Sequence, residues 1–155
     1  MSKVSYIPDG YHTATPYLIV NGAAAALDYY TKAFGATETF RMPGPDGKIS
    51  HCEFKIGNSI FMMADEHPER GAYGPKSIGG SPISIMLYVE DVDAMFDRAI
   101  AGGGTVERPV ENKFYGDRAG GVFDPFGHIW YISTHIEDVS PEELNKRLAA
   151  MGQGG

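Results

Sequence analysis

The sequence predicts an α+β fold built from two successive βαβββ modules, whose curved mixed sheets surround a cleft. The main observation is a repeat: residues 15–66 and 84–135 both carry an apolar strand, an amphipathic helix, a glycine and three further strands. Adding 69 to a residue number in the first stretch gives its partner in the second without a gap. One such module leaves a sheet face uncovered, so we expect the modules to share a core and a small ligand to lie between them.

In the first module, the amphipathic helix is the clearest element. Leu27, Tyr30 and Phe34 fall on one helical face, and Gly35 provides a left-handed end. A strict alternation of polar and apolar residues over 51–56 indicates a strand with one buried face. The strands and the helix predicted for this module cover residues 16–20, 23–34, 37–42, 51–56 and 59–64.

The second module repeats this order and is followed by one more helix. The strands and the helix predicted for it cover residues 84–89, 92–101, 105–108, 121–123 and 128–134. Residues 109–119 are expected to form a long loop. Ser140, Pro141 and Glu143 are typical of a helix start, so a C-terminal helix is predicted over 140–150. We expect residues 1–155 to form a single domain.

The composition argues against several classes of partner and site. A net charge of −7 and 13 scattered lysine and arginine residues disfavour binding to nucleic acid or to an anionic membrane. No apolar stretch approaches the roughly 20 residues of a membrane-spanning helix, and the N-terminus does not resemble a signal peptide. The single cysteine, Cys52, excludes an internal disulfide and a cysteine-based zinc site. A cytoplasmic protein is therefore expected.

Short motifs in both modules carry a family resemblance. They cover residues 15–18, 29–36, 51–53, 56–58, 63–66, 88–93, 114–118, 124–130 and 134–135, and the Asp-Pro-Phe-Gly-His-Ile-Trp segment at 124–130 is the strongest. With the tandem βαβββ order, they resemble the vicinal oxygen chelate superfamily, and within it the PhnB-like branch. That superfamily includes glyoxalase I, the fosfomycin- and bleomycin-resistance proteins and the extradiol dioxygenases. The resemblance implies the glyoxalase/bleomycin-resistance fold, which hosts many reactions.

The same resemblance implies where a metal ion would bind, because the named enzymes hold a divalent ion with side chains from the first and last strand of each half. The register of these strands places the corresponding positions at Thr15, Met62, Ser84 and Tyr131. Their side chains are poor ligands for a hard divalent ion, which prefers carboxylate, imidazole or water. We therefore predict that the inherited metal site is absent and that no cofactor is bound.

His51 and Glu53 lie two residues apart on a predicted strand, so both side chains point away from the helix. One interpretation is an acid–base or ligand-orienting pair at the floor of the cleft. The other is a salt bridge near a solvated rim or in a dimer contact. Tyr131 is a further candidate catalytic residue.

An aromatic and methionine lining is expected on the same side of the sheets. Arg118 is predicted to bind a carboxylate or phosphonate bidentately, with pinning of the long loop as the alternative. The predicted ligand-binding residues are Tyr17, His51, Glu53, Met62, Met86, Tyr115, Arg118 and Tyr131. His135 is a weaker candidate at the end of the last strand, and His128 is expected to be structural.

Two functional hypotheses follow. In the first, the protein binds or sequesters a small aromatic or amphipathic molecule without a metal, similar to the bleomycin-resistance branch. In the second, it is a lyase, an isomerase or a dioxygenase-like enzyme that uses His51 and Glu53, with a non-standard metal site as one variant. A homodimer is expected because a second chain would cover open strand edges, with the N-terminal arm around Tyr6, Ile7 and Tyr11 as a strap.

Overall fold

The computed structural model describes residues 3–153, which fold into two compact units. The first unit contains the residues up to Ser81 together with Pro125–Gly127, and the second contains Pro82–Asp124 and the residues from His128 onward. Each unit has one four-stranded mixed sheet, which confirms the predicted α+β fold class. None of the helices within residues 3–153 is long and apolar enough to cross a membrane.

The first unit has the predicted βαβββ order. Its elements are β1 (Tyr17–Val20), α1 (Ala23–Phe34), β2 (Thr37–Pro43), β3 (Ile49–Ile56), β4 (Ser59–Asp65) and the short helix α2 (Pro75–Ile78). The strand order is β1-β4-β3-β2, with β1 parallel to β4 and the other neighbours antiparallel. Helix α1 has the predicted bounds, and the segment between the two repeated stretches contains α2 and a 3₁₀ turn at Pro68–Arg70.

Helix α1 covers one face of the first sheet. Tyr30 of α1 stacks on Phe54 of β3 with ring centroids 5.4 Å apart, and Phe54 stacks in turn on Phe61 of β4 at 5.1 Å. Cys52 and Phe54 are completely buried on this side, as the alternation over 51–56 predicts. Because strand side chains alternate, His51 and Glu53 lie on the opposite face, which we call the open face of the first sheet.

The start of α1 is capped from a distant strand. Gly22, at the N-cap, has φ 107° and no side chain to accept a hydrogen bond. Asp65 at the end of β4 replaces it: one carboxylate oxygen accepts from the backbone N–H groups of Gly22 and Ala23 at 2.8 and 2.9 Å. The other oxygen accepts from the N–H of Ile49 at 2.7 Å. Asp65 therefore ties the helix to two strands of the sheet.

The second unit contains the second βαβββ set and the C-terminal helix. Its elements are β5 (Ser84–Tyr88), α3 (Val92–Ala101), β6 (Thr105–Asn112), β7 (Asp117–Phe123), β8 (Ile129–His135) and α4 (Pro141–Gln153). The strand order is β5-β8-β7-β6, with β5 parallel to β8. Helix α3 has the predicted bounds, and α4 runs three residues beyond its predicted end at 150.

The long loop predicted over 109–119 is wrong. Strand β6 continues to Asn112 and β7 begins at Asp117, so only a short turn connects them. Pro109 is accommodated because β6 is an edge strand and its register shifts between Arg108 and Glu111, where a missing N–H costs no ladder bond. Residues expected on a mobile loop are therefore fixed on alternating faces of a sheet.

The prediction that one offset of 69 relates the two modules throughout is wrong for the third strand of each module. Glu53 pairs with Met62 in the first sheet, whereas Gly121 pairs with Tyr131, the partner of Met62 at an offset of 69. The offset is therefore 68 in β3 and β7, because the hairpin that follows β7 is one residue longer. A one-residue shift exchanges the two faces of a strand. Phe54 is completely buried for this reason, whereas Phe123, its partner in the gapless alignment, is 39% exposed.

Candidate functional site

Four polar side chains form a continuous hydrogen-bonded chain on the open face of the first sheet. The Tyr17 hydroxyl lies 2.8 Å from His51 Nδ1, and His51 Nε2 lies 2.8 Å from one carboxylate oxygen of Glu53. The other Glu53 oxygen accepts a short hydrogen bond from the Tyr11 hydroxyl. Tyr17 comes from β1, His51 and Glu53 from β3, and Tyr11 from the irregular N-terminal arm. The predicted His51–Glu53 pair is therefore part of a larger arrangement.

The hydrogen-bond partners of His51 fit a neutral ring with its proton on Nε2. The Tyr11 hydroxyl, and after it His51, lowers the pKa of Glu53, so Glu53 is a carboxylate that can only accept hydrogen bonds. His51 Nε2 must then carry the proton that it donates to Glu53. The opposite nitrogen, Nδ1, lies 2.8 Å from the Tyr17 hydroxyl, which can donate to it, so a neutral imidazole satisfies every partner.

Both phenols of the chain are protonated at neutral pH. Burial, the hydrogen bond to Glu53 and the charge of Glu53 together raise the pKa of Tyr11 to about 12. The pKa of Tyr17 is raised as well, first by burial and then by the neighbouring Cys52 and Glu53. Tyr17 and Tyr11 consequently act as hydrogen-bond donors at the two ends of the chain.

Apolar side chains surround this polar chain and remain open to solvent. Tyr17, Phe40 and Met42 are 49%, 45% and 48% exposed, and the Phe40 ring lies 6.1 Å from the His51 ring. Met62 pairs with both Tyr17 and Glu53 across the sheet and is half-buried. Exposed aromatic surface next to an ordered polar group is the composition expected of a small-molecule site.

A cavity of about 450 Å³ extends from the same face towards the ends of β1 and β4. Tyr17, Ile19 and Ala64 form its wall on the sheet side, and the segments 44–50 and 65–72 form its rim. Its volume lies in the range of cavities that hold small organic ligands. Tyr17 therefore belongs both to the hydrogen-bonded chain and to the wall of this cavity.

The second unit presents a different surface at the corresponding positions. At the positions of His51 and Glu53 in the paired strands, the second sheet has Ala119 and Gly121. A methyl group on Gly121 would overlap the Glu107 carboxylate and lie 2.9 Å from the Tyr131 ring, so this glycine allows both side chains to approach the strand closely. A small cavity of about 60 Å³ is lined by Met86, Arg108, Lys113, Tyr115, Ala119, Gly120 and Tyr131. The predicted residues Met86, Tyr115 and Tyr131 thus lie together, within the second unit.

A second histidine network lies at one end of the second sheet. His135 Nδ1 lies 2.7 Å from Asp117, and its Nε2 lies 2.7 Å from Asp138. The buried Asp117 carboxylate also accepts from the Tyr88 hydroxyl at 2.7 Å. Both ring nitrogens of His135 face carboxylates, so both must donate and the ring is an imidazolium. The hydrogen bonds to Asp117 and then Asp138 accordingly raise the pKa of His135.

Arg118 is not part of either cavity, which corrects its prediction as a ligand-binding residue. Its guanidinium donates two hydrogen bonds to Asp93, at 2.8 and 2.9 Å, and a third to Asn112 at 3.0 Å. Arg118 alternates with Asp117 and Ala119 on β7, so it points to the α3 side of the sheet, where Asp93 lies in the first turn of α3. Arg118 therefore binds a carboxylate bidentately, as predicted, but that carboxylate is the side chain of Asp93 and not a ligand.

The four inherited metal positions do not fit a divalent ion. Met62 offers a thioether, Thr15 and Ser84 offer neutral hydroxyls, and Tyr131 lies beneath the Arg108 guanidinium at 6.0 Å from its ring centroid. No group of three or more His, Cys, Asp or Glu side chains within residues 3–153 is arranged to hold a metal ion. His51 and Glu53 are already bonded to each other. This donor set lacks the charged oxygens and free imidazoles that a divalent ion requires.

Sequence reasoning missed two groups of residues in these networks. Tyr11 was expected only as part of a strap, and no local pattern indicates its contact with Glu53, 42 residues away. Tyr88 and Asp117 were missed as partners of His135 because residue 117 was assigned to a loop. The alternation of Tyr88 with Met86 on β5 is the one signal that places it on this face.

Comparisons with known proteins agree with this architecture. Residues 11–132 match the model of the Glyoxalase/Bleomycin resistance protein/Dioxygenase superfamily. An uncharacterized protein of Mycobacterium bovis is 41% identical over 143 residues, covering 90% of this chain and 94% of that protein. A crystal structure from Pseudomonas aeruginosa superposes with a TM-score of 0.66 at 28% identity, covering 81% and 99% of the two chains. The PhnB protein of Bacillus cereus, at 19% identity and a TM-score of 0.62, shares the fold over 79% of this chain and 99% of its own.

Proposed function

Because the chain belongs to the Glyoxalase/Bleomycin resistance protein/Dioxygenase superfamily, we propose that it binds a small aromatic or amphipathic molecule without a metal ion, on the open face of the first sheet. The observation that carries this proposal is the hydrogen-bonded chain from Tyr17 to Tyr11, set among exposed aromatic and methionine side chains. The hydrogen-bonded side chains orient the ligand, and the apolar surface provides the binding energy.

The energetic argument rests on the exposed side chains. Phe40 and Met42 are nearly half exposed on a face that the structure otherwise orders through hydrogen bonds. A ligand ring that covers them removes apolar area from water, at about 25 cal/mol per Å². A ring packed against Phe40 also gains about 0.5–1.5 kcal/mol from its geometry.

Metal independence is supported by the chemistry of the donors. A divalent ion would have to replace its hydration shell with Thr15, Met62, Ser84 and Tyr131, which carry neither carboxylate nor imidazole. Recruiting His51 or Glu53 would break hydrogen bonds that satisfy both. We therefore expect purified, chelator-treated protein to bind its organic ligand as well as untreated protein does.

Methionine methyl NMR tests the proposal with site resolution. The chain has seven methionines, of which Met42 and Met62 lie at the proposed site, whereas Met95 is buried and Met151 lies on α4. Titration with indole or 2-naphthol is expected to shift the Met42 and Met62 signals and to leave Met151 in place. Equal shifts at all exposed methionines, or none at Met42 and Met62, would contradict the proposal.

A matched pair of variants sharpens this experiment. Phe40→Ala should weaken binding about threefold to tenfold, since it removes the ring against which the ligand packs. Tyr73→Ala removes an aromatic side chain of the same unit that is equally exposed, at 46%, but lies outside the site. It should leave the affinity unchanged. If both variants weaken binding equally, the contact is non-specific.

The second candidate function is catalytic. The specific observation in its favour is that His51 is neutral, hydrogen-bonded to a carboxylate on one side and to a half-exposed phenol on the other. That arrangement suits general acid–base catalysis of a lyase or isomerase type. Tyr131 is the weaker catalytic candidate, because the Arg108 guanidinium lies over its ring and no hydrogen bond to a base is seen at its hydroxyl among the described residues.

We also propose that the protein forms a homodimer and belongs to the PhnB-like branch. Each four-stranded sheet has two edge strands, and every residue of β2 is exposed. Open edges favour association with a second copy over exposure to water. Light scattering at micromolar concentration should give the mass of a dimer, and a monomer mass would contradict this part of the proposal.

A further inference from the structure

Tyr17 occupies a special position in the hydrogen-bonded chain of the first unit. It is 49% exposed, whereas the side chains of His51 and Glu53 are each 22% exposed. Its hydroxyl touches His51 on one side, and its ring forms part of the wall of the 450 Å³ cavity on the other. Tyr17 is therefore the member of the hydrogen-bonded chain that is most open to a molecule bound on this face of the sheet.

We infer that Tyr17, His51 and Glu53 form a proton relay that deprotonates a weakly acidic hydroxyl group on a bound aromatic ligand, such as a phenol or an enol. The inference rests on the proposed function, because it requires an aromatic molecule on this face. Beyond binding, the ligand is then a phenol or an enol, and the chemical step is its deprotonation. Tyr17 is the residue that contacts the ligand, His51 receives the proton, and Glu53 and Tyr11 are positioning residues.

The proton balance of the step follows from the geometry. The ligand hydroxyl gives its proton to the oxygen of Tyr17, while Tyr17 gives its own proton to His51 Nδ1, 2.8 Å away. His51 keeps the proton on Nε2 and becomes an imidazolium that donates to the Glu53 carboxylate at 2.8 Å. The ligand oxyanion then accepts a hydrogen bond from the re-formed Tyr17 hydroxyl. No bond other than those to the moving protons breaks, and the total charge is unchanged.

The groups around His51 favour this direction of transfer. The Glu53 carboxylate contacts the ring at Nε2, and it stabilises the imidazolium that forms. Tyr11 is neutral, with its pKa raised to about 12, and it fixes the orientation of the Glu53 carboxylate. Cys52 points to the other face, where burial raises the pKa of its thiol to about 11. From β2, Phe40 and Met42 contribute only apolar surface.

Tyr17 transfers a proton from the ligand to His51 and is not itself deprotonated beforehand. Burial raises its pKa, so a tyrosinate does not accumulate before the ligand arrives. The acceptor of the relay is His51, because its Nδ1 lies 2.8 Å from the Tyr17 oxygen and the ring can bind a second proton there. If His51 and Glu53 formed only a salt bridge, the hydrogen bond between Tyr17 and His51 would have no function.

Binding of 4-nitrophenol tests the relay, because the visible absorption of its phenolate reports ionisation directly and its pKa lies close to that of histidine. The wild-type protein should raise the phenolate fraction of bound 4-nitrophenol at the pH where the free compound is half ionised. Tyr17→Phe retains the ring but lacks the hydroxyl. It should keep the Met42 and Met62 NMR shifts on binding and lose at least two thirds of the rise in phenolate.

Two further variants complete the test. Tyr73→Phe removes a phenol of the first unit outside the site and should behave as the wild type does. His51→Gln should abolish the rise in phenolate and also its dependence on pH, which a purely structural role of His51 would not produce. Folding of each variant is checked by the Met63 and Met95 methyl signals, which report the two buried cores.

The outcomes separate the relay from the proposed function. If 4-nitrophenol shifts Met42 and Met62 but its phenolate fraction rises equally in wild type and Tyr17→Phe, or does not rise at all, the relay is wrong and the binding site stands. If 4-nitrophenol does not shift Met42 or Met62 in the wild type, the proposed binding function fails, and the relay fails with it.

Discussion

The two βαβββ units place a histidine in two different electrostatic settings. His51 lies between a phenol and a carboxylate, so one nitrogen accepts and the other donates, and the ring is neutral. His135 lies between the carboxylates of Asp117 and Asp138, so both nitrogens donate and the ring is charged. A neutral imidazole can receive a second proton, whereas an imidazole held between two carboxylates already carries a proton on each nitrogen. The relay proposed above therefore uses His51 of the first unit and not His135.

The polar pair of the first unit has no counterpart in the second at either register. The tight connection in the first unit pairs Ile56 with Ser59, whereas in the second unit Phe123 pairs with Ile129 across a longer turn. In this shifted register Ala119 and Gly121 lie at the positions of His51 and Glu53, and without the shift Gly120 and Val122 would lie there. A duplicated fold can therefore carry unlike sites without changing its order of strands.

The largest expected loss of stability comes from removing the side chain that caps the first helix of each unit, and it should differ between the units. Asp65→Ala should lower the free energy of unfolding by about 2–4 kcal/mol, since it removes the acceptor of three backbone N–H groups. Thr134→Val removes the corresponding side chain of the second unit, which accepts from Val92 N–H at 3.0 Å. It should cost about 1 kcal/mol, because Asp91 still caps α3. Urea unfolding measures both, and a larger loss for Thr134→Val would contradict the comparison.

The next effect concerns the close packing of Glu107 and Tyr131 over Gly121 of β7. Gly121→Ala should destabilise the protein by about 1–3 kcal/mol, because the new methyl group overlaps the Glu107 carboxylate and lies 2.9 Å from the Tyr131 ring, so both side chains must move. Gly152→Ala is the matched control, since nothing lies within 4 Å of its added methyl group and it occupies α4. It should stabilise by up to about 1 kcal/mol. Thermal unfolding that shows the same sign for both variants would contradict this packing.

These cases show what the sequence can and cannot predict. Helices α1 and α3 are predicted with their observed bounds, because apolar periodicity and glycine or aspartate signals lie within the segment itself. The face of Arg118 cannot be predicted from a loop over 109–119, because it depends on where β7 begins. Tyr11 and Asp65 act through contacts more than 40 residues away, which no local pattern contains. Long-range hydrogen bonds therefore account for most of what was missed.

The two networks should respond to pH in opposite directions. The folded pKa of Glu53 is lowered, so its stabilising contribution is present above its ordinary pKa of 4.5 and is lost as pH falls through the folded value. The folded pKa of His135 is raised, so its contribution is complete below pH 6.5 and is lost as pH rises through the folded value. Stability differences between wild type and Glu53→Gln should therefore shrink in acid. Those between wild type and His135→Gln should shrink in mild alkali, and the reverse trends would contradict the assignment.

The central claim is the different protonation of the two histidines, and long-range ¹H–¹⁵N NMR of the imidazole rings at pH 7 tests it most directly. His51 should give the pattern of a neutral ring protonated at Nε2, and His135 that of a ring protonated at both nitrogens. Tyr17→Phe should leave the His135 pattern unchanged. A doubly protonated His51, or a His51 ring with its proton on Nδ1, would contradict the account.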